Sequence, residues 1–223
     1  MCGRFTLTIS PAELQDQFGL TERPSADLAP RYNIAPSQAV AVVTNSADRK
    51  LELFQWGLIP SWAKDPKIGN KLINARAETL AEKPSFRTAL KRRRCLVVAD
   101  GFYEWQKTAT GKAPMYIQMQ DGRPFGFAGL WEVWQPPDGS LLKTCTIITT
   151  EPNALLEPIH NRMPVILPPE AYETWLHPGE LPAEEVLPLL RPFDAARMKA
   201  VPVSTRVNSP GFDAPECIVP LVA

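Results

Sequence analysis

Past residue 39 the chain reads mainly as short segments rich in β-branched and aromatic residues, and this pattern confines it to a fold built on sheets. The segments 40–43, 51–56, 95–99, 102–106, 115–119, 125–134, 143–149 and 164–167 are predicted strands. Turn signals such as Asp121-Gly122 and Pro136-Pro137-Asp138-Gly139 separate several of them. Helical patterns are fewer, at 77–82, 152–156, 169–176 and 183–190, with one clear helix near the start. There Ser10 suits a cap, Pro11 the first helical position and Glu13 a capping box. Leu14 and Phe18 share a face, and Gly19 stops the helix. A short strand over 3–8 precedes it. No internal repeat and no linker divides the sequence. The expectation is an α+β fold: a single domain, 1–223, with mainly antiparallel β-sheets in a barrel-like core and peripheral helices.

Composition narrows the functional classes. A chain of 223 residues buries about 70% of its unfolded surface and folds without staples. Its 24 prolines are spread throughout, which reads as turns and edge strands rather than one disordered tail. Lysine plus arginine equals aspartate plus glutamate at 24 each. A zero net charge argues against a generic nucleic-acid binder but leaves room for a narrow basic groove. Cys2, Cys95, Cys145 and Cys217 are scattered, no pair has C-x-x-C spacing, and only 2 histidines are present. No structural zinc site and no cofactor are expected, and the simplest compartment is intracellular and reducing. No apolar run approaches the ~18 residues of a membrane span, and no basic segment followed by an apolar one marks a secretory signal.

The chemistry starts at MCGRF. Removal of Met1 would make Cys2 the first residue, with an α-amine and a thiol two carbons apart. At pH 7 an α-amine is ~10% neutral, roughly 300-fold more than a lysine, so it attacks carbonyls without special burial. With an aldehyde it forms an imine, and the adjacent thiol then closes a five-membered thiazolidine at high effective molarity. The alternative is an ordinary thiol on a frayed end.

Other polar residues stand in unusual settings. Glu104 lies within the apolar stretch Gly101-Phe102-Tyr103-Glu104-Trp105, where a carboxylate is expensive unless paired or functional. Strand alternation turning it into water is the bland alternative. His160 and Arg162 lie between a helical pattern and a strand, where His160 could instead cap the helix. Asn74 and Arg76 are two apart and share a face if extended. Trp56 reads as core, whereas Trp62 could stack on a base. The stretch Arg31-Tyr32-Asn33-Ile34-Ala35-Pro36 reads as a second polar loop. The basic run 91–94 leads into a strand and reads more readily as a solvated face than as a phosphate track.

Together, MCGRF, RYNIAPSQ, WGLIPSW, INARAET, RRCLVVADGFYEW, TIITTEPN, IHNRMPVIL and VSTRVN resemble the SOS response-associated peptidase (SRAP) family. The resemblance spans nearly the whole chain. It implies a DNA-damage protein that binds single-stranded DNA at an abasic site and forms a thiazolidine crosslink with the ring-opened aldehyde. Carried over by motif, Cys2 is the nucleophile and Glu104 handles protons at the amine and at imine closure. His160 acts on the sugar hydroxyl released on ring opening, and Asn74 orients Cys2 or the sugar. Arg4, Arg76 and Arg162 hold phosphates, while Asn33, Pro36, Trp62 and Thr149 form the groove that bends the strand. The resemblance also implies a peptidase step, self-removal of Met1, and the imine stage permits a lyase side reaction. The expected partner is abasic single-stranded DNA, bound by a monomer without membrane or cofactor. The expected location is cytoplasmic, at the nucleoid in a bacterium or in the nucleus of a eukaryote.

Two rival classes share these residues. An N-terminal-nucleophile glutamine amidotransferase can also begin Met-Cys-Gly and would use the thiol on glutamine, with ammonia release as its signature. A non-covalent single-strand binder would use only the arginines and tryptophans and would bind intact and abasic strands equally.

Overall fold

A computed structural model describes residues 2–24 and 28–221 of the chain. In chain order the strands are β1 (Phe5–Leu7), β2 (Arg31–Ile34), β3 (Ala39–Thr44), β4 (Leu51–Trp56), β5 (Asn74–Arg76), β6 (Arg94–Ala99) and β7 (Gly101–Thr108). They continue with β8 (Gly111–Met119), β9 (Phe125–Trp134), β10 (Leu142–Thr150), β11 (Met163–Pro164), β12 (Ile166–Leu167) and β13 (Met198–Pro202). The α-helices are α1 (Pro11–Phe18), α2 (Arg87–Arg92), α3 (Tyr172–Trp175) and α4 (Ala183–Val186).

Apolar pairing closes a small barrel. The ladder runs β10–β4–β3–β6–β9, and β9 also pairs with β10, which joins the two ends of the path. Most pairs are antiparallel, in keeping with the short turns between successive strands. The seam is the exception: β10 runs parallel to β4 at Thr144 and Cys145 and then parallel to β5 from Ile147 to Thr149. One edge of β10 is thus shared by two strands in succession. A second sheet of order β13–β8–β7–β1–β2 packs beside the barrel. Phe5 on β1 joins the two bodies, meeting Trp56 edge-on at 5.1 Å and Phe127 at 5.8 Å between ring centroids. That anchor fixes the segment just upstream, which contains Cys2.

Helix α1 forms as its sequence dictates. Ser10 accepts the Glu13 amide, Glu13 reaches back to the Ser10 amide, and Gly19 takes the left-handed cap. Leu14 and Phe18 are its buried face. The predicted helix over 152–156 is instead a series of hydrogen-bonded turns, because Asn153 caps the Leu156 amide and Pro158 has no N–H with which to extend a helix. The segment 77–82 reduces to a single 3-10 turn, Ala77–Thr79. The expected loop at Arg31 to Pro36 holds strand β2, paired with β1 across Phe5 and Ile34.

The basic run divides unexpectedly. Arg92 pairs with Glu180 and Arg93 with Glu132 near the surface. Arg94 is fully buried, and its guanidinium donates to the carbonyl oxygens of Trp175, Leu90, Lys91, His177 and Gly179. The planar fork with five N–H groups suits such a carbonyl cage, and the buried arginine pins the chain end of α3 to β6.

Candidate active site

The site lies where the start of the chain crosses from the second sheet to the barrel seam. Cys2 is 0% exposed and belongs to the main core, so it is not a thiol on a loose end. Its carbonyl oxygen accepts the Asn74 side-chain amide at 2.7 Å, which ties the chain start to β5. Because β5 runs beside β10, Asn74 is held opposite Ile147 and Arg76 opposite Thr149. Alternation along β5 sends Asn74 and Arg76 to one side, as their spacing predicts.

Glu104 comes from β7, beyond the point where β1 stops covering that strand's edge. It is 2% exposed, so the outward-facing alternative does not hold. Burial pushes its carboxyl up to about 7, placing a proton donor and acceptor in one group near neutrality. Burial also pushes the Cys2 thiol above its ordinary value, and the charge of Glu104 adds to that. The thiol is therefore held in its protonated form until something takes the proton.

His160 follows the turns after Asn153. Its Nε2 lies 4.0 Å from Glu104 Oε2. Its Nδ1 accepts the backbone amide of Arg162 at 3.0 Å, so the neutral ring carries its proton on Nε2, facing Glu104. The ring caps its own loop rather than a helix. Burial pushes the imidazole below its ordinary value, which favours that neutral form.

Arg162, Thr149, Arg76 and Glu78 form a second cluster along the seam. Arg162 donates in a fork to Glu78 at 2.7 and 2.9 Å and to the Thr149 carbonyl at 2.7 Å. The fork holds the Glu78 carboxyl below its usual range. Glu78 lies inside the INARAET motif yet drew no role from sequence, since nothing local announces a partner at position 162. Thr149 is fully buried, with its hydroxyl bonded to the Ala75 carbonyl at 3.5 Å, and Arg76 is exposed.

Arg4 and Asn33 are also together, but they serve the fold directly. Arg4 donates to Asn33 Oδ1 and the Val207 carbonyl, both at 2.8 Å, and to the Asn208 carbonyl at 3.3 Å. Asn33 is fully buried and donates to the carbonyls of Val207, Ser209 and Phe212. The pair clamps the segment after Thr205 over the start of the chain. Trp105, in the stretch GFYEW, joins this clamp by donating from its indole to Asn208 Oδ1 at 2.7 Å.

Trp62 and Pro36 lie outside these clusters. Trp62 is 59% exposed, in the loop after Gly57, while Trp56 is fully buried as expected. Gly57 has φ +130°, and a Cβ there would sit 2.8 Å from the Gly69 carbonyl, so only glycine permits the approach that shapes this loop. Pro36 is half-buried in the turn after β2. Among the described residues no group of three or more His, Cys, Asp or Glu is placed to hold a metal ion, and no helix is long and apolar enough to cross a membrane.

Comparison with known proteins places the chain among relatives. The sequence model of the SOS response associated peptidase (SRAP) family matches residues 1–210. Abasic site processing protein YoqW of Bacillus subtilis (strain 168) is 49% identical over 221 residues, covering 98% of this chain and 99% of that protein. Abasic site processing protein HMCES of Gallus gallus is 36% identical over 264 residues, covering 99% of this chain and 78% of that protein. The X-ray structure of a protein from Bacteroides thetaiotaomicron matches the fold with a TM-score of 0.89 at 29% identity, covering 99% of this chain and 100% of that one. A match across this much of the chain makes it a member of the SOS response-associated peptidase (SRAP) family.

Proposed function

We propose that this chain processes abasic sites in single-stranded DNA by covalent capture through Cys2, once Met1 is removed. The observation that carries the reading is the convergence on Cys2 of a buried carboxyl poised near neutrality and the Asn74 amide bonded to the Cys2 carbonyl at 2.7 Å.

The steps balance without a cofactor. The neutral Cys2 amine adds to the C1 aldehyde of the opened sugar, and protonated Glu104 supplies the proton that lets the carbinolamine oxygen leave as water. The carbon of the resulting protonated imine is attacked by the Cys2 sulfur, whose proton passes to the now ionised Glu104, while the nitrogen keeps its own proton as the ring amine. The product is a thiazolidine ring, and the sum is aldehyde plus aminothiol giving ring plus one water. The raised thiol pKa explains the order: the amine attacks first, and sulfur acts only when Glu104 can accept its proton. His160, with its Nε2 4.0 Å from Glu104, would act on the sugar hydroxyl freed by ring opening. Asn74 holds the chain start in register. Arg76, Arg162, Trp62 and Pro36 act on the strand, and Arg4, Asn33 and Thr149 act by shaping the groove. Self-removal of Met1, hydrolysis of the Met1–Cys2 peptide bond, would come first at this site and free the amine, and arrest at the later imine would allow strand scission by β-elimination. A glutamine-hydrolysing reading needs the thiol as first nucleophile, and its burial works against that.

Intact mass of the purified chain, with and without an abasic oligonucleotide, tests the reading. The expected result is a chain lacking Met1 and an adduct equal to chain plus oligonucleotide minus one water. An equally stable adduct with Cys2→Ser, or capture by a chain that keeps Met1, would overturn it.

A further inference from the structure

A like-charged pair sits at the end of the β7–β8 hairpin. Lys107 and Lys112 are directly opposite each other in the antiparallel register, so both side chains leave the same face. Both are exposed, and among the described residues neither lies in an ion pair. Like charges placed face to face destabilise a hairpin, and a carboxylate at either position would have relieved the cost. Trp105 projects from the same face two residues before Lys107.

The pair lines one groove with Trp105, Glu157 and His160. Gln106 bonds to the Pro158 carbonyl at 3.2 Å and fixes the far wall against β7. The groove therefore runs from His160, at the reacting centre, out to two ammonium groups. Glu157 is the opposing charge on its wall, leaving a net positive lining. The Lys112 charge is felt at His160, where it adds a minor part to the lowering that burial dominates. This end of the site lies beyond β7, whereas Arg76 and Arg162 lie along β5 and β10 on the seam.

We propose that Lys107 and Lys112 form a phosphate clamp for the DNA backbone flanking the lesion on the His160 side, a contact separate from the Arg76 and Arg162 cluster. It rests on the reading that the chain binds single-stranded DNA. A phosphodiester between the two ammonium groups turns their repulsion into shared attraction, and it directs the strand across His160 toward Cys2.

The test is a salt titration of binding to a short single-stranded oligonucleotide, comparing the unaltered chain with Lys107→Gln/Lys112→Gln. Loss of two contacts should flatten the slope of log K against log salt by about 1.4. Lys107→Arg/Lys112→Arg should restore the slope, and Lys50→Gln, which alters a lysine paired with Glu22 in another region, should leave it unchanged. With oligonucleotides trimmed on one side of the abasic site, the effect should vanish for one trimmed end and persist for the other. The glutamine pair should also fold with a melting temperature no lower than the original, because it removes a repulsion. If the unaltered chain binds with salt dependence and the glutamine pair matches it, the clamp is overturned and the DNA-binding reading stands. If the unaltered chain shows no binding, both fall.

Discussion

Glu104 and His160 face each other across 4.0 Å, from Oε2 to Nε2, and they approach from opposite walls of the site. One wall is the uncovered edge of β7, the other the turn after Asn153. Burial moves the two groups' pKa values in opposite directions, the carboxyl up and the imidazole down. The carboxyl can therefore give and take a proton near neutrality beside a neutral imidazole, which suits chemistry in which water leaves and a thiol is deprotonated in succession.

Glu104→Gln should slow adduct formation by about a hundredfold while leaving affinity for intact single strands nearly unchanged. It should also alter stability in a defined window. The folded carboxyl titrates near 7 against an ordinary value of 4.5, so its contribution is fully present below pH 4.5 and is lost as pH rises toward 7. The glutamine variant lacks that loss. Thermal melts should show the variant gaining on the original between pH 4.5 and 7; parallel curves would contradict the burial assigned to Glu104.

Asn74→Ala removes the donor to the Cys2 carbonyl. A single hydrogen bond contributes about 1 kcal/mol, so stability should fall modestly. The larger effect should be on rate, because the chain start then samples positions away from Glu104. Single-turnover capture assays should show a drop of about tenfold or more at saturating DNA; an unchanged rate would make Asn74 purely structural.

Arg76 and Arg162 should differ in salt response, although both were expected to hold phosphates. Arg162 is already engaged by Glu78 and the Thr149 carbonyl, whereas Arg76 is exposed. Arg76→Ala should flatten the salt slope by about 0.7, as for one phosphate contact. Arg162→Ala should flatten it less and should lower thermal stability more, since it strips the seam of its fork. Equal slopes with equal stability would show that the fork opens when DNA binds.

Arg94→Met should lower stability by about 3 kcal/mol, because several buried carbonyl oxygens lose their donor at once. Arg94→Lys should recover little, as a lysine cannot reach so many carbonyls in one plane. Denaturant unfolding measures this directly, and a loss below about 0.5 kcal/mol would mean water replaces the guanidinium.

Local signals in the sequence were read correctly where the cause is local. The Ser10–Glu13 box, the stop at Gly19 and the strand 51–56 follow from neighbouring residues alone. Trp56 in the core and the shared face of Asn74 and Arg76 follow from strand periodicity. What escaped is what distant segments decide. Arg94 looks like any member of a basic run until the carbonyls around Trp175 and His177 enclose it. Glu78 gains meaning only through Arg162, which is 84 positions away. By motif Arg4 reads as a phosphate holder and Asn33 as a groove residue, but the bonds of both to carbonyls near position 207 are visible only in the fold. The lysine pair needed the hairpin register before its repulsion was visible.

The Arg4–Asn33 clamp makes the tail an integral part of the segment that carries Cys2. Arg4 grips the Val207 carbonyl across 203 positions of sequence, two residues after Cys2. Trimming the polypeptide ahead of Val207 would unlatch its opening strand and let Cys2 drift, even though every residue around Cys2 stayed in place. Tags and fusions are therefore best appended beyond the turn at Cys217, and proteolysis near Thr205 would act at a distance on the segment that carries Cys2.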